Sequence, residues 1–202
     1  TLFIPPRLIY RTELMKNTPA VYAALFLGVL AISTSAIFVK FADAPSSAIA
    51  FYRLGISAIV LLPFLLFSRK RLREVLSLSR KQFLLIAFSG ILLGIHYVMW
   101  FESLRYTSIA SSVVLVCLQP LFSLIFALIL FREIPRKSSV VGCLVAIFGC
   151  FIIGMADFRI SGMALFGDIL AFLAAGGVAL YFITGQKVRE STGAVTYSVF
   201  SY

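Results

Sequence analysis

IASSVVLVCLQPLFSLIFALILF, residues 109–131, runs for 23 positions without one charged side chain. As an α-helix rising 1.5 Å per residue it is about 35 Å long, enough to cross a hydrocarbon core about 30 Å thick. A soluble helix covers one face with polar groups; this one is apolar all round. It is too long, and lacks the alternation, for a barrel strand. Five more segments share this character: 19–41, 44–67, 83–104, 140–156 (the shortest) and 163–184. The chain therefore reads as all-α, a polytopic membrane helix bundle of about six spans.

Composition agrees with that reading. Hydrophobic residues make up 61% and charged residues 13%, against about 45–50% and 25% in an ordinary globular chain. The mean hydropathy is +1.03. A soluble core has no room for that much apolar surface, and a disordered chain has too little of it. The net charge of +10 raises the possibility of a nucleic-acid binder. The cations sit instead in short clusters between apolar runs, so no nucleic-acid partner is expected. The first run is too long for a signal-peptide core and has no cleavage signature. Cys117, Cys143 and Cys150 lie inside apolar runs without metal-ligand spacing, so neither a disulfide framework nor a metal site is expected.

The loop charges orient the chain. Fourteen Lys and Arg fall on one side: Arg7, Arg11 and Lys16; Arg69, Lys70, Arg71, Arg73, Arg80 and Lys81; Arg132, Arg136 and Lys137; Lys187 and Arg189. Three fall on the other, Lys40, Arg105 and Arg159, while Arg53 lies within the second span. By the positive-inside rule the N-terminus is cytoplasmic and the protein sits in the plasma or inner membrane. The expected organisation is a cytoplasmic segment over 1–18, a five-helix unit over 19–156 and a further, incomplete unit over 163–202. The chain opens on Thr1, while Met15-Lys16-Asn17 makes a natural start. Residues 195–202 read as the opening of a seventh span, so a longer parent protein is expected.

One run carries a family resemblance. Trp100-Phe101-Glu102-Ser103-Leu104-Arg105-Tyr106-Thr107-Ser108-Ile109-Ala110-Ser111-Ser112 closes the third span and opens the fourth. Leu118-Gln119-Pro120-Leu121-Phe122, Phe131-Arg132-Glu133, and then Gly142 and Gly149 follow in order. The run resembles the EamA-type transporters of the drug/metabolite transporter superfamily. Phe51-Tyr52-Arg53 resembles the arginine these proteins carry in their second helix, and Gly167-Asp168-Ile169-Leu170-Ala171 the start of their second repeat. The resemblance implies ten helices in two five-helix inverted repeats. Glu102 departs from it, because the family usually has a small residue near that position. Five helices per repeat is an odd number, so the sixth span crosses opposite to the first, as the charges also require. Inverted repeats build a substrate site at their interface.

Few residues are equipped for chemistry. Arg53 lies about 12 Å into the second span, where a charge costs about 2.5–3.5 kcal/mol. It either faces the bundle interior or snorkels to the interface. His96, the one histidine, shares a helix face with Trp100 and Ser103 by i, i+4, i+7 spacing; it is either a proton-carrying pocket residue or a hydrogen-bonded packing residue. Gln119 and Pro120 lie near the middle of the fourth span, where proline removes a backbone hydrogen bond and bends the helix. Glu102 is placed to pair with Arg105. Asp168 fits a helix N-terminus. Small residues at mid-span, Ser33-Thr34-Ser35-Ala36 and Ala174-Ala175-Gly176-Gly177, permit close helix approach, as does the Gly142, Ala146 and Gly149 stripe. Arg53, His96, Trp100, Gln119 and Pro120 are the candidate substrate-binding residues. They are expected to face one shared cavity, in which Arg53 favours a carboxylate-bearing solute.

The expected function is secondary transport of a small metabolite or drug-like solute by alternating access. A membrane-embedded enzyme is disfavoured, because no second acid or base accompanies His96 near mid-span and no phosphate loop or nucleophile–base pair is present. A non-transporting scaffold or regulatory membrane protein is the alternative. The expected partners are the lipid bilayer and a small-molecule solute, with a homodimer left open. No catalytic residue and no cofactor is expected.

Overall fold

The computed structural model describes residues 18–132, 137–158, 162–189 and 192–202. The expected N-terminal segment with Arg7, Arg11, Met15 and Lys16 lies outside the described residues, as do Glu133, Arg136 and Arg159. All regular structure among the described residues is helical. The helices are α1 (Thr18–Phe41), α2 (Ser46–Leu66), α3 (Arg69–Leu76), α4 (Arg80–Tyr106), α5 (Ile109–Val116), α6 (Gln119–Phe126), α7 (Lys137–Phe158), α8 (Gly162–Arg189) and α9 (Ala194–Ser201). A π-turn over Ala127–Phe131 extends α6. Five stretches are long and apolar enough to cross a bilayer: Val21–Phe41, Ser46–Leu66, Arg80–Tyr106, Ile109–Leu130 and Gly162–Gln186. The apolar stretch Lys137–Ile152 of α7 is a sixth, shorter candidate. The protein is a polytopic membrane helix bundle.

The chain forms two compact units that divide after Phe38. In the first, two hydroxyls of α1 turn back on their own helix: Ser33 Oγ donates to the Val29 carbonyl at 2.8 Å and Thr34 Oγ1 to the Ala31 carbonyl at 3.0 Å. A hydroxyl that reaches back to a carbonyl of its own helix is satisfied even in hydrocarbon.

The second unit is built around α4 and α8, which make its most extensive helix contact. Ser79 and Gln82 start α4 with a reciprocal capping box, satisfying two donors the first turn leaves over. The contact is close because α8 presents Ala171, Ala174, Ala175 and Ala179, each fully buried. Gly167 comes closest: a Cβ there would stand 2.9 Å from Thr107 N and 3.0 Å from the Ser103 carbonyl. Gly176 and Gly177 pack on Phe122 and His96, so the small-residue run of the sixth span is a packing seam. Below it lies a core of Ile86, Leu93, Val178, Tyr181, Val188 and Tyr197. The Tyr197 hydroxyl shares a hydrogen bond with Ser89 Oγ. The outward surfaces of α2 and α7 carry exposed Phe51, Ile59, Phe64, Leu144 and Phe148, as a lipid-facing surface does.

Three elements differ from the expectation. The fourth span is not one helix. Pro120 has no N–H to give the carbonyl four residues back, and the chain tightens into Leu118 N to Leu115 O (3.1 Å) and Leu121 N to Leu118 O (2.9 Å). The break therefore falls at Cys117–Leu118, with Pro120 in the first turn of α6, where proline is tolerated. The sixth span extends to Arg189, beyond the expected 184, because basic side chains suit the last turn of a helix. The basic loop after the second span contains a helix, α3, that hydropathy alone does not reveal.

Candidate functional site

Arg53 stands on α2 two turns from its start, on the side packed against α4. Its guanidinium carbon lies over the α4 rings of Tyr97 (4.7 Å to the centroid), Phe101 (5.7 Å) and Trp100 (5.8 Å). Of the two placements open from the sequence, this is the interior one. Ring faces carry negative charge density, and an arginine held on them is stabilised by about 0.5–2 kcal/mol, more as water is excluded. That offsets part of the cost of placing a charge at this depth.

Behind the guanidinium the rings form a layer. His96 is 4% exposed and stacks on Trp100 at 5.9 Å between centroids. Its Nδ1 lies 2.8 Å from the Ala174 carbonyl of α8. A carbonyl only accepts, so Nδ1 carries the proton and donates. His96 thus fastens α4 to α8 and fixes the ring that backs Trp100. Trp100 is 6% exposed, and its indole Nε1 is buried without a hydrogen-bond partner among the described residues. A buried indole N–H ordinarily finds an acceptor. Ser103, on the same face, is fully buried and committed to structure. Its Oγ donates to the Trp100 carbonyl and shares a hydrogen bond with Ser112 Oγ, both at 2.6 Å.

Gln119 and Pro120 do not join this group. They line a separate cavity of about 630 Å³ with Cys117, Ser123, Gly142 and Cys143, between the broken fourth span and α7. The single shared cavity expected for these five residues is therefore two places. Depth along a helix is readable from spacing, whereas the direction a side chain faces depends on helix rotation. The break at Cys117–Leu118 re-aims the residues that follow it. Gly142 and Ala146 of the small-residue stripe line this same cavity.

The turn that closes α4 holds polar contacts that spacing did not reveal. Lys40 Nζ donates to the Leu104 carbonyl, and to the Thr107 carbonyl at 3.1 Å. A cation there meets the negative end of the α4 dipole. Asp168 Oδ1 accepts from Thr107 Oγ1 at 2.7 Å and Ser111 Oγ at 2.9 Å, so the carboxylate near the start of α8 ties down the turn between α4 and α5. Glu102 stands 3.8 Å from Arg105, the expected pair, and its Oε2 also accepts from Ser46 Oγ at 2.6 Å. Lys40, Asp43, Ser46 and Arg105 line an adjacent polar cavity of about 440 Å³. Among the described residues, no group of three or more His, Cys, Asp or Glu is placed to hold a metal ion.

An apolar multi-helix bundle of this kind defines the class: a polytopic integral membrane protein. Residues 19–155 match the EamA-like transporter family, which is more than half of the chain, and the chain belongs to that family. It is also 27% identical over 165 residues to the uncharacterized transporter YyaM of Bacillus subtilis (strain 168). That alignment covers 77% of this chain and 52% of the relative, so the chain spans about half the length of the curated relative it matches. No solved structure matches.

Proposed function

We propose that the chain forms the first half of a secondary transporter that moves a small metabolite or drug-like solute by alternating access. The N-terminus is cytoplasmic in this reading, which the 14-to-3 division of loop cations supports. The substrate site is the ring-backed arginine. Arg53 supplies fixed positive charge and a fork of N–H donors, Trp100 supplies the wall and its Nε1 donor, and His96 holds that wall in place. Gln119 and Pro120 act from a second position, at the break that lets the fourth span flex. An inverted second repeat completes the cavity.

A single observation carries this reading. The Arg53 guanidinium carbon lies 5.8 Å from the Trp100 ring centroid, and the indole Nε1 of that same residue is buried without a hydrogen-bond partner among the described residues. Together the two donors select a solute with a carboxylate or other electron-rich group. Lysine keeps the charge but loses the fork and the ring stacking. In the full-length protein reconstituted in liposomes, Arg53→Lys is expected to lower uptake at least about tenfold, the loss of one charged, forked contact. Membrane insertion stays normal. Near wild-type uptake by Arg53→Lys would remove Arg53 from the site.

A further inference from the structure

Between α2 and α4 the chain turns through α3, Arg69-Lys70-Arg71-Leu72-Arg73-Glu74-Val75-Leu76, cationic at four of its first five positions. One of these cations is turned back on the protein: Arg71 Nη1 donates to the Phe64 carbonyl of α2 at 2.6 Å. Glu74, the one carboxylate of the helix, is turned toward α9. Its Oε2 accepts from Gly193 N at 3.2 Å and from Thr196 Oγ1 at 2.9 Å. A carboxylate there satisfies the free donors of a helix N-terminus. With its anion so engaged, α3 leaves Arg69, Lys70 and Arg73 exposed without a counter-charge of its own. Phe67 and Leu76, at the two ends of α3, are 90% and 87% exposed. Beside this surface Arg80, Val75, Leu78, Phe83, Leu84 and Phe200 line a mostly apolar groove of about 430 Å³.

Cations next to an apolar groove, at the ends of two membrane-spanning helices, are complementary to one kind of molecule. An acidic phospholipid brings a phosphate anion at the membrane surface and an acyl chain just below it. A soluble acidic peptide would meet the charges but leave the groove empty at membrane depth. We propose that this turn is an acidic-phospholipid site. The headgroup lies against Arg69, Lys70, Arg73 and Arg80, and an acyl chain follows Phe83, Leu84 and Phe200. Through Glu74 the bound lipid steadies the first turn of α9.

The test uses the full-length protein in a neutral detergent, with native mass spectrometry reading the retention of added phosphatidylglycerol and phosphatidylcholine. Each cation near an acidic headgroup contributes about fivefold in affinity. The triple variant Arg69→Gln, Lys70→Gln, Arg73→Gln is expected to lose phosphatidylglycerol binding on the order of a hundredfold, with phosphatidylcholine unchanged. Raised salt should weaken the unaltered protein's preference in the same direction. All three side chains are exposed, so the substitutions leave packed interfaces intact. Equal retention of the two lipids by the unaltered protein, or an undiminished preference in the triple variant, overturns the site. Inorganic phosphate that displaces the lipid at equal concentration overturns the part assigned to the groove.

Discussion

Gly167 shows how much of this fold rests on single atoms. A methyl group there would meet Thr107 N at 2.9 Å and the Ser103 carbonyl at 3.0 Å, both of them backbone. Neither can swing aside as a side chain does, so α8 would have to move away from α4. Alanine improves helix propensity by about 1 kcal/mol, but overpacking costs about 1–3 kcal/mol, and here the second effect wins. Gly94, also on a spanning helix, has nothing within 4 Å of its would-be Cβ. Gly167→Ala is therefore expected to lower the thermal unfolding midpoint in detergent, and Gly94→Ala to leave it unchanged or raise it. Equal midpoints for the two variants would mean the α4–α8 seam is looser than the distances say. At the same scale, the sequence singled out Arg53 and Trp100 by chemistry: a charge in an apolar span, and an indole on a face shared with His96. It held no sign that Lys40 would cap α4, because the partners are the Leu104 and Thr107 carbonyls, and every residue has a carbonyl.

Elements were legible where hydropathy or a special residue marked them. Proline in 109–131 announced a distortion, and α5 and α6 are the result. Its position inside the first turn of α6, and so the break at Cys117–Leu118, follows from which carbonyls the neighbouring N–H groups reach. Pro120→Ala restores the missing donor. The bonds at Leu118 and Leu121 are then expected to relax to the i to i−4 pattern, with Ile109–Leu130 running as one helix. Hydrogen exchange at residues 118–121 should slow about tenfold or more, since proline inside a helix costs about 3 kcal/mol and much of that is recovered. Transport should slow as well if the break flexes during the cycle. Unchanged exchange at 118–121 would show that tertiary packing, not the proline, sets the break. The helix α3 was hidden for a different reason. Eight residues with four cations look like any basic loop, and only the docking of Glu74 onto Gly193 and Thr196 and of Arg71 onto Phe64 shows that the segment is placed.

At the scale of the whole molecule the membrane orientation is open to direct measurement. Ala44, in the turn between α1 and α2, and Lys70, on α3, are both exposed. In a background lacking Cys117, Cys143 and Cys150, an impermeant thiol reagent applied to intact cells should label Ala44→Cys and not Lys70→Cys. Permeabilised cells should show both. Labelling of Lys70→Cys in intact cells would invert the topology drawn from the positive-inside rule. Ser46 is a poor reporter for this purpose, being 5% exposed and bonded to Glu102.

The amino-acid sequence alone determined the spans, the membrane setting and the family, because each depends on a segment taken by itself. Twenty apolar residues favour the bilayer whatever their neighbours do, and the order of the Trp100–Ser112 and Gln119–Pro120 motifs is written along the chain. Partnership was decided by the tertiary structure. His96 reaches Ala174, Asp168 gathers Thr107 and Ser111, and Gln119 parts company with Arg53. Each of these depends on how a helix is rotated about its axis. In lipid that rotation is set by close packing of small residues and a few polar contacts between helices, not by burial of apolar surface. Such contacts are sums of small terms between residues distant in the chain, and they exist only once both helices are in place.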